Sequence, residues 1–118
     1  MFRAEVICHP GDGYVAVRVA GDVDTGTRAQ LAAALDRAVA AETLPVVVDL
    51  SDVRFFAAAG VHCVESAVGA IRARGSAAHL VCPCPGAAWR VVSLLGLDRQ
   101  WQVHHDVADA VAGFAART

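Results

Sequence analysis

Hydrophobic and polar positions alternate near the start of the chain. Val15, Val17 and Val19 are each followed by a small or charged residue, and a shorter apolar run extends from Ala4 to Cys8. The turn-forming sequence Gly11-Asp12-Gly13 lies between the two segments. A period of two is typical of β-strands, and a Gly/Asp cluster between two such runs is typical of a tight turn. The pattern predicts an opening β-hairpin.

After residue 24 the period changes to that of a helix. Thr27 and Gln30 have the spacing of a capping box, in which two side chains bond the backbone N–H groups at a helix start. We therefore predict a first helix from Thr27 to Glu42, ended by Pro45. Its inner face is formed by apolar residues at helical spacing: Leu31, Leu35, Ala38 and Val39.

A continuous β-branched run, Val46 to Leu50, follows Pro45. Such runs are typical of central strands that are covered on both faces, so we expect this strand to be parallel to a neighbour. Beyond Gly60 the helical period returns, and Arg72, Arg74 and Gly75 suit the end of a second helix. The apolar stripe of this helix is Val61, Val64, Val68 and Ile71.

The C-terminal third contains two further strands and two further helices. The segment Ala78 to Cys82 predicts a strand, and Trp101 to Val103 predicts a short edge strand. Pro85 is suited to the first turn of a third helix that ends at Gly96, and Asp106 is suited to cap a fourth. The apolar residues of these helices are Val91, Val92, Leu94 and Leu95 in the third, and Val107, Val111 and Phe114 in the fourth. Trp89 is a further core candidate.

The predicted order of elements is β β α β α β α β α, with short connections and no internal repeat. We expect one α/β domain over residues 1–118, with a mixed sheet of four or five strands and about four helices.

Composition excludes several classes of function. The 118 residues are 56% hydrophobic and 19% charged, with a net charge of -2, which is typical of a globular protein and argues against a nucleic-acid partner. No apolar run approaches the ~20 residues of a membrane helix, and the N-terminus has no signal-peptide core. We expect a cytosolic protein, in which the cysteines are reduced thiols.

Catalytic motifs are missing from the sequence. It contains no GxGxxG, no phosphate-binding loop, no GxSxG and no HExxH. The neighbouring carboxylates, Asp22 with Asp24 and Asp49 with Asp52, are interpreted as loop and capping residues at strand ends. We predict no enzymatic activity, no catalytic residue and no cofactor.

A metal site is also not predicted. Cys82 and Cys84 flank Pro83, and His104 and His105 are adjacent, but structural zinc sites use CxxC-type pairs with a second well-spaced pair. The two cysteines are interpreted as buried or half-buried thiols at a strand end, and the two histidines as polar loop residues.

Cys63 differs because it is predicted to lie near the first turn of the second helix. The helix dipole can favour a thiolate there, so Cys63 is a candidate redox-sensitive thiol, with a small buried apolar residue as the alternative role.

The end of the central strand resembles the signature of STAS domains, specifically that of the bacterial anti-sigma-factor antagonists. It reads Asp49-Leu50-Ser51-x-Val53-x-Phe55-Phe56, then three small residues, then Gly60-Val61. Two other segments resemble motifs of the same family, at the family's separations: Gly21-Asp22-Val23-Asp24 before the first helix, and Leu94-Leu95-Gly96-Leu97-Asp98 near the C-terminus.

The resemblance implies a non-catalytic domain whose partner is an anti-sigma factor with a serine kinase fold. In that family the turn reads D-S-[ST]-G, and one hydroxyl accepts a phosphate that brings close to two negative charges to the docking surface. Here Ala57 stands in the place of the Asp, and Ala58 and Ala59 stand in the places of the hydroxyl residues. These three positions cannot accept a phosphate.

Two explanations remain open. In the first, the alanines mimic the unmodified serine, and the domain docks its partner permanently through this set of residues: Asp22, Asp24, Ala58, Ala59, Gly60 and Val61. In the second, the domain is a subunit or scaffold of a transporter or a stress-sensing complex.

A different modification could also replace phosphorylation as the switch. Oxidation of Cys63 with Cys82 or Cys84 would tie the second helix to the following strand, provided that the cysteines lie at the same edge of the sheet. Ser51 and Ser66 are further modification sites, expected at a strand end and inside a helix respectively.

Overall fold

The computed structural model describes residues 1–9, 11–41 and 44–115. Over these residues the predicted order of strands and helices is confirmed. A short 3-10 helix, Leu97–Arg99, follows the third helix. The elements are β1 (Phe2–His9), β2 (Tyr14–Val23), α1 (Arg28–Ala41), β3 (Val46–Phe56), α2 (Ala58–Ala73), β4 (Ala78–Val81), α3 (Ala87–Leu94), β5 (Gln102–His104) and α4 (Val107–Ala115).

The five strands form one mixed sheet in the order β1-β2-β3-β4-β5. The opening hairpin is confirmed, because β1 pairs with β2 in antiparallel fashion. The central position of β3 is confirmed too, since it is parallel to both β2 and β4. The short β5 pairs with β4 and forms an edge of the sheet, as predicted.

The two faces of the sheet are covered unequally. On one face, α1, α2 and α3 bury the main core, which includes Leu31, Val64 and Val92. On the other face, α4 covers a smaller cluster of buried residues: Tyr14, Ala16, Val47, Val81 and Ala110. Val107 and Val111 pack against this smaller cluster, as predicted for the inner face of α4. The side chain of Phe114 lies outside the described residues.

The strands β2 and β3 are longer than the sequence predicts. Gly21 and Asp22, expected in a loop, continue β2, and β3 continues through Asp52 to Phe56. Asp49 and Asp52 therefore lie within a strand, so their interpretation as strand-end loop residues is wrong. Pairing explains the extension: β2 and β3 remain paired to their ends, although the register shifts between Arg18 and Ala20 and again between Gly21 and Asp22.

Several predicted helix boundaries are corrected by the structure. The Thr27 hydroxyl does not form the predicted capping box with Gln30. It donates to the carbonyl of Asp22 at 2.9 Å, and the Asp24 carboxylate accepts a hydrogen bond from the Thr27 N–H at 3.1 Å. The predicted end of α1 at Glu42 lies outside the described residues. Pro85 precedes α3 rather than lying in its first turn. The Asp106 cap is confirmed, because its carboxylate accepts the Asp109 N–H at 2.8 Å.

Candidate functional site

The turn before α1 and the turn before α2 meet at one edge of the sheet. The last paired residues of β2 and β3 are Val23 and Phe56, and one residue further the Ala57 N–H donates to the Val23 carbonyl at 2.9 Å. This bond joins the two segments in which the predicted partner-binding residues lie. Asp22 and Asp24 are thereby brought beside the first turn of α2.

Gly60 and Val61 are buried beneath this turn. A Cβ on Gly60 would come within 2.5 Å of Val23 Cγ1 and 2.8 Å of Phe56 Cε1, so only a glycine fits here without movement of its neighbours. The two residues support the turn from the core and do not themselves form its exposed surface.

Ala57 occupies the N-cap position of α2. Its backbone is extended, with φ -87° and ψ 170°, as a capping residue requires, but its methyl group gives no side-chain hydrogen bond to the helix. Ala58, the first residue of α2, is exposed, and Ala59 is half-buried. The start of α2 is therefore a methyl-lined turn, with the positive end of the helix dipole behind it and no acidic residue in the first turn.

Two exposed residues beside this turn were missed by sequence reasoning. Phe55 is 53% exposed although it lies within a strand, and His62 is exposed one helical turn after Ala58. The register shift between Gly21 and Asp22 interrupts the alternation of buried and exposed side chains, so the exposure of Phe55 could not be predicted from that alternation. We call these residues together the turn surface: Asp22, Phe55, Ala58, Ala59 and His62.

Asp24 has a structural role next to the turn surface, where it bonds to Thr27. Its carboxylate is half-buried and accepts the Thr27 N–H, while its own N–H donates to the Thr27 hydroxyl at 3.0 Å. This reciprocal pair fixes the entry into α1. Asp22 is also half-buried, and its N–H donates to the Met1 carbonyl at 3.0 Å.

A groove of about 190 Å³ between α1 and α2 adjoins the turn surface at His62. Its walls are mainly apolar, with Leu35 and Val39 on α1 and Ala67 and Ala70 on α2. Polar side chains border it: Arg28, Asp36 and Ser66.

The sequence profile of the STAS domain family matches residues 3–110. The chain belongs to the STAS domain family. Among solved structures, an anti-sigma factor antagonist from Mycobacterium paratuberculosis is 26% identical to this STAS domain, with a TM-score of 0.85. The match covers 96% of this chain and 93% of the mycobacterial one.

Two further solved structures are less similar in sequence and show the shared fold. An anti-sigma-factor antagonist domain protein from Planctomyces limnophilus has a TM-score of 0.73 at 15% identity, covering 95% of this chain and 97% of its own. The Bacillus cell fate determinant SpoIIAA, in its phosphorylated form, has a TM-score of 0.66 at 20% identity, covering 97% and 99%.

In this STAS domain the four cysteines are free thiols in different surroundings. Cys63 lies in the second turn of α2, deeper than predicted, and its thiol is 3.8 Å from the Arg28 carbonyl on α1. Cys82 is buried, and this burial, together with the nearby charge of Asp49, raises the pKa of its thiol to about 12. Cys84 is exposed, so the prediction of a buried thiol holds for Cys82 alone of this pair.

The interpretation of His104 as a loop residue is wrong. His104 belongs to β5, and its Nε2 lies 2.9 Å from Nδ1 of His79, which is fully buried on β4. His105 is exposed after the strand. Within residues 1–9, 11–41 and 44–115, no three His, Cys, Asp or Glu side chains are grouped as metal ligands would be. No helix in the same ranges is long and apolar enough to cross a membrane.

Proposed function

We propose that this STAS domain is a cytosolic anti-sigma-factor antagonist that acts by binding rather than by catalysis. Its partner is an anti-sigma factor with a serine kinase fold, and the turn surface is its docking site. The family match and the similarity to the mycobacterial antagonist support this function. The arrangement of the two turns, joined through Val23 and Ala57, supports the location.

One observation carries the proposal: the exposed start of α2 is apolar and uncharged. Ala58 presents a methyl group to solvent, and Phe55, three residues earlier in the chain, leaves about half of its surface exposed. Exposed aromatic residues are common anchors in protein interfaces, because they bury a large area at a low cost in conformational entropy. A partner can cover Ala58 and Phe55 without removing a charge from water.

The alanines also determine how the interaction can be regulated. No hydroxyl is present at positions 57–59, so a partner with a kinase fold has no residue to phosphorylate at the turn. Of the two other candidates, Ser51 lies within β3, where its hydroxyl donates to the Asp49 carboxylate. Ser66 lies two turns along α2, beside the groove. We infer that docking at the turn is permanent and is not switched off by phosphorylation there.

The proposal is tested by capturing partners from the native cytosol and measuring affinity with the purified partner. A serine-kinase-fold anti-sigma factor should be recovered and identified by mass spectrometry. Isothermal titration calorimetry then compares the natural chain with Ala58→Glu. We expect at least about a tenfold loss of affinity, because the new carboxylate is buried in the interface without a partner.

Ala33→Glu is the matched control, since Ala33 is an exposed helical alanine on α1 that does not border the groove. It should bind like the natural chain. Equal binding by Ala58→Glu and the natural chain would place the docking site elsewhere, and failure to recover any anti-sigma factor would contradict the function itself.

The thiol switch stays a prediction. An exposed Cys84 is accessible to oxidants, but the raised pKa of Cys82 disfavours its thiolate and hence its attack on an oxidised partner. The Cys63 thiol faces α1 rather than open solvent. Of the two pairs, Cys63 with Cys84 is therefore the one that we propose, since it does not involve Cys82.

An exposed apolar patch favours a second candidate function, that of a subunit or scaffold in a larger assembly. Leu94 and Leu95, at the end of α3, are 83% and 57% exposed. Because α3 runs back from the edge that carries the turn surface, these leucines lie toward the opposite end of the sheet. Replacement of both by Glu should abolish capture of a scaffold partner and leave turn-surface binding unchanged, as measured by the same pull-down.

A further inference from the structure

We propose that the His79–His104 pair is a pH-sensitive latch that holds α4 against the sheet and releases it at acidic pH. The pair lies on the face opposite α1, α2 and α3, so this inference is independent of the docking function. It rests on the full burial of His79, the bond between its ring and that of half-buried His104, and the helix packed on them.

The geometry limits how many protons the pair can hold. His79 is fully buried, and its Nδ1 lies 2.9 Å from Nε2 of His104. At this distance one proton lies between the two nitrogens, donated by one ring and accepted by the other. A single added proton can be carried on the outer nitrogen of a ring without breaking this bond. Two added protons place an N–H on both facing nitrogens, and the rings must then separate.

The C-terminal helix lies directly against these rings. A Cβ on Gly113 of α4 would come within 3.1 Å of His104 Cε1 and 4.0 Å of His79 Cε1. Among the side chains of α4 that the structure describes, Ala110 is buried against the sheet, and Val107 and Val111 pack against the same cluster. Since β5 has only three residues and forms the sheet edge, β5 and α4 are the elements that can move when the rings separate.

Other titratable groups on this face come from four elements. Tyr14 on β2 is stacked on His9 of β1, with ring centroids 4.6 Å apart. Asp49 on β3 lies on the same face as Val47, because side chains alternate along a strand. Asp49 pairs with Val81, and Val81 pairs with His104, so Asp49 is two strands, or about 10 Å, away from His104. The start of α4 adds two exposed carboxylates, Asp106 and Asp109, and exposed His105 follows β5.

None of these groups lies between the two facing ring nitrogens, which are 2.9 Å apart, so none relieves the conflict created by the second added proton. An exposed imidazole takes up a proton near pH 6.5, so the open form gains protons that the closed form cannot accommodate. Opening that is linked to one extra proton becomes more favourable as the pH falls through that value, and the change approaches about tenfold per pH unit well below it. Release exposes the apolar strip Ala16, Val47 and Val81.

Hydrogen exchange detected by mass spectrometry tests the latch on the full chain at pH 7.5, 6.5 and 5.5, after correction for the intrinsic exchange rate. We expect the protection of α4 to fall about fivefold between pH 6.5 and 5.5, because an open-form imidazole is already about half protonated at pH 6.5, while α2 keeps its protection. Protection of α4 that does not depend on pH would overturn the proposal.

Substitutions identify the groups responsible. In His104→Gln the glutamine oxygen can accept a hydrogen bond from the Nδ1–H of His79 in either charge state, so two facing N–H groups no longer arise and the pH response of α4 protection should become much smaller. His79→Gln should behave in the same way and serves as the second variant if the first does not fold. His105→Gln, an exposed neighbour, should retain the natural response. An unchanged pH response in a folded His104→Gln or His79→Gln would assign the effect to other groups and overturn the proposal.

Discussion

Gly60 lies directly against Val23, with no room between them for a methyl group. This contact joins the start of α2 to the end of β2 and sets the shape of the turn surface. We expect Gly60→Ala to lower the free energy of unfolding by about 1–3 kcal/mol, because the added methyl group overpacks the contact. Urea unfolding at pH 7 measures the change.

Gly69→Ala is the matched control on the same helix, because nothing lies within 4 Å of a Cβ at Gly69. It should raise the free energy of unfolding by about 0.5–1 kcal/mol through helix propensity alone. A Gly60→Ala protein as stable as the natural chain would show that Val23 and Phe56 move aside without cost.

Ala57→Asp should stabilise the fold by about 1 kcal/mol at pH 7. The backbone of Ala57 already has the extended conformation of a capping residue, so the new carboxylate can accept N–H groups of the first turn and interact with the positive end of the helix dipole. Thermal unfolding measures the gain. Ala73→Asp, at the exposed last turn of α2, is the control and should give no gain, and equal gains in both variants would argue against capping.

The raised pKa of Cys82 predicts a loss of stability at alkaline pH. The thiol stays protonated in the folded state up to about pH 12, whereas in the unfolded state it ionises near its ordinary value. Its contribution is therefore fully present below about pH 9 and is lost progressively as the pH rises toward 12, by at most about 1.4 kcal/mol per pH unit.

The measurement is the free energy of unfolding between pH 8 and 11 for the natural chain, for Cys82→Ala, and for Cys8→Ala as an exposed-thiol control. The Cys82 variant should show a shallower alkaline decline than the other two proteins. Parallel declines in all three would assign the alkaline loss to other groups.

Arg74 connects the end of α2 to the end of α1 and the segment that follows it. Its Nη2 donates to the Leu44 carbonyl at 2.8 Å, and its Nη1 donates to the Val39 carbonyl. Arg74→Lys should lower the free energy of unfolding by about 1–2 kcal/mol, because a single ammonium group cannot reproduce both bonds. Arg37→Lys, on the exposed face of α1, should have no measurable effect in the same urea titration.

The order of elements could be predicted because local signals agree with the tertiary environment. The run Val46 to Val48 is β-branched and fully buried, as a central parallel strand requires. The stripe from Val61 to Ile71 is buried at every predicted position, and Asp106 caps the helix that it precedes. In each case the residue's own preference and its packing favour the same structure.

Strand lengths and cross-strand pairs could not be predicted from local patterns. Gly21 has a φ of +94° and approaches the Met1 carbonyl, so a residue typical of a turn is accommodated inside β2. Phe55 is exposed because register shifts interrupt the alternation. His104 contacts a residue 25 positions away in the sequence, and only the pairing of β4 with β5 brings the two rings together.

The strand order of the sheet is identical to the order of the strands along the chain. Each strand after β1 thus finds its pairing edge already present when it leaves the ribosome, and no strand has to be inserted between two others. A nascent chain that has emerged as far as Val81 contains all of β1 to β4 and both flanking helices α1 and α2. The fold can therefore assemble in the order in which its elements are synthesised, with the edge strand β5 and α4 added last.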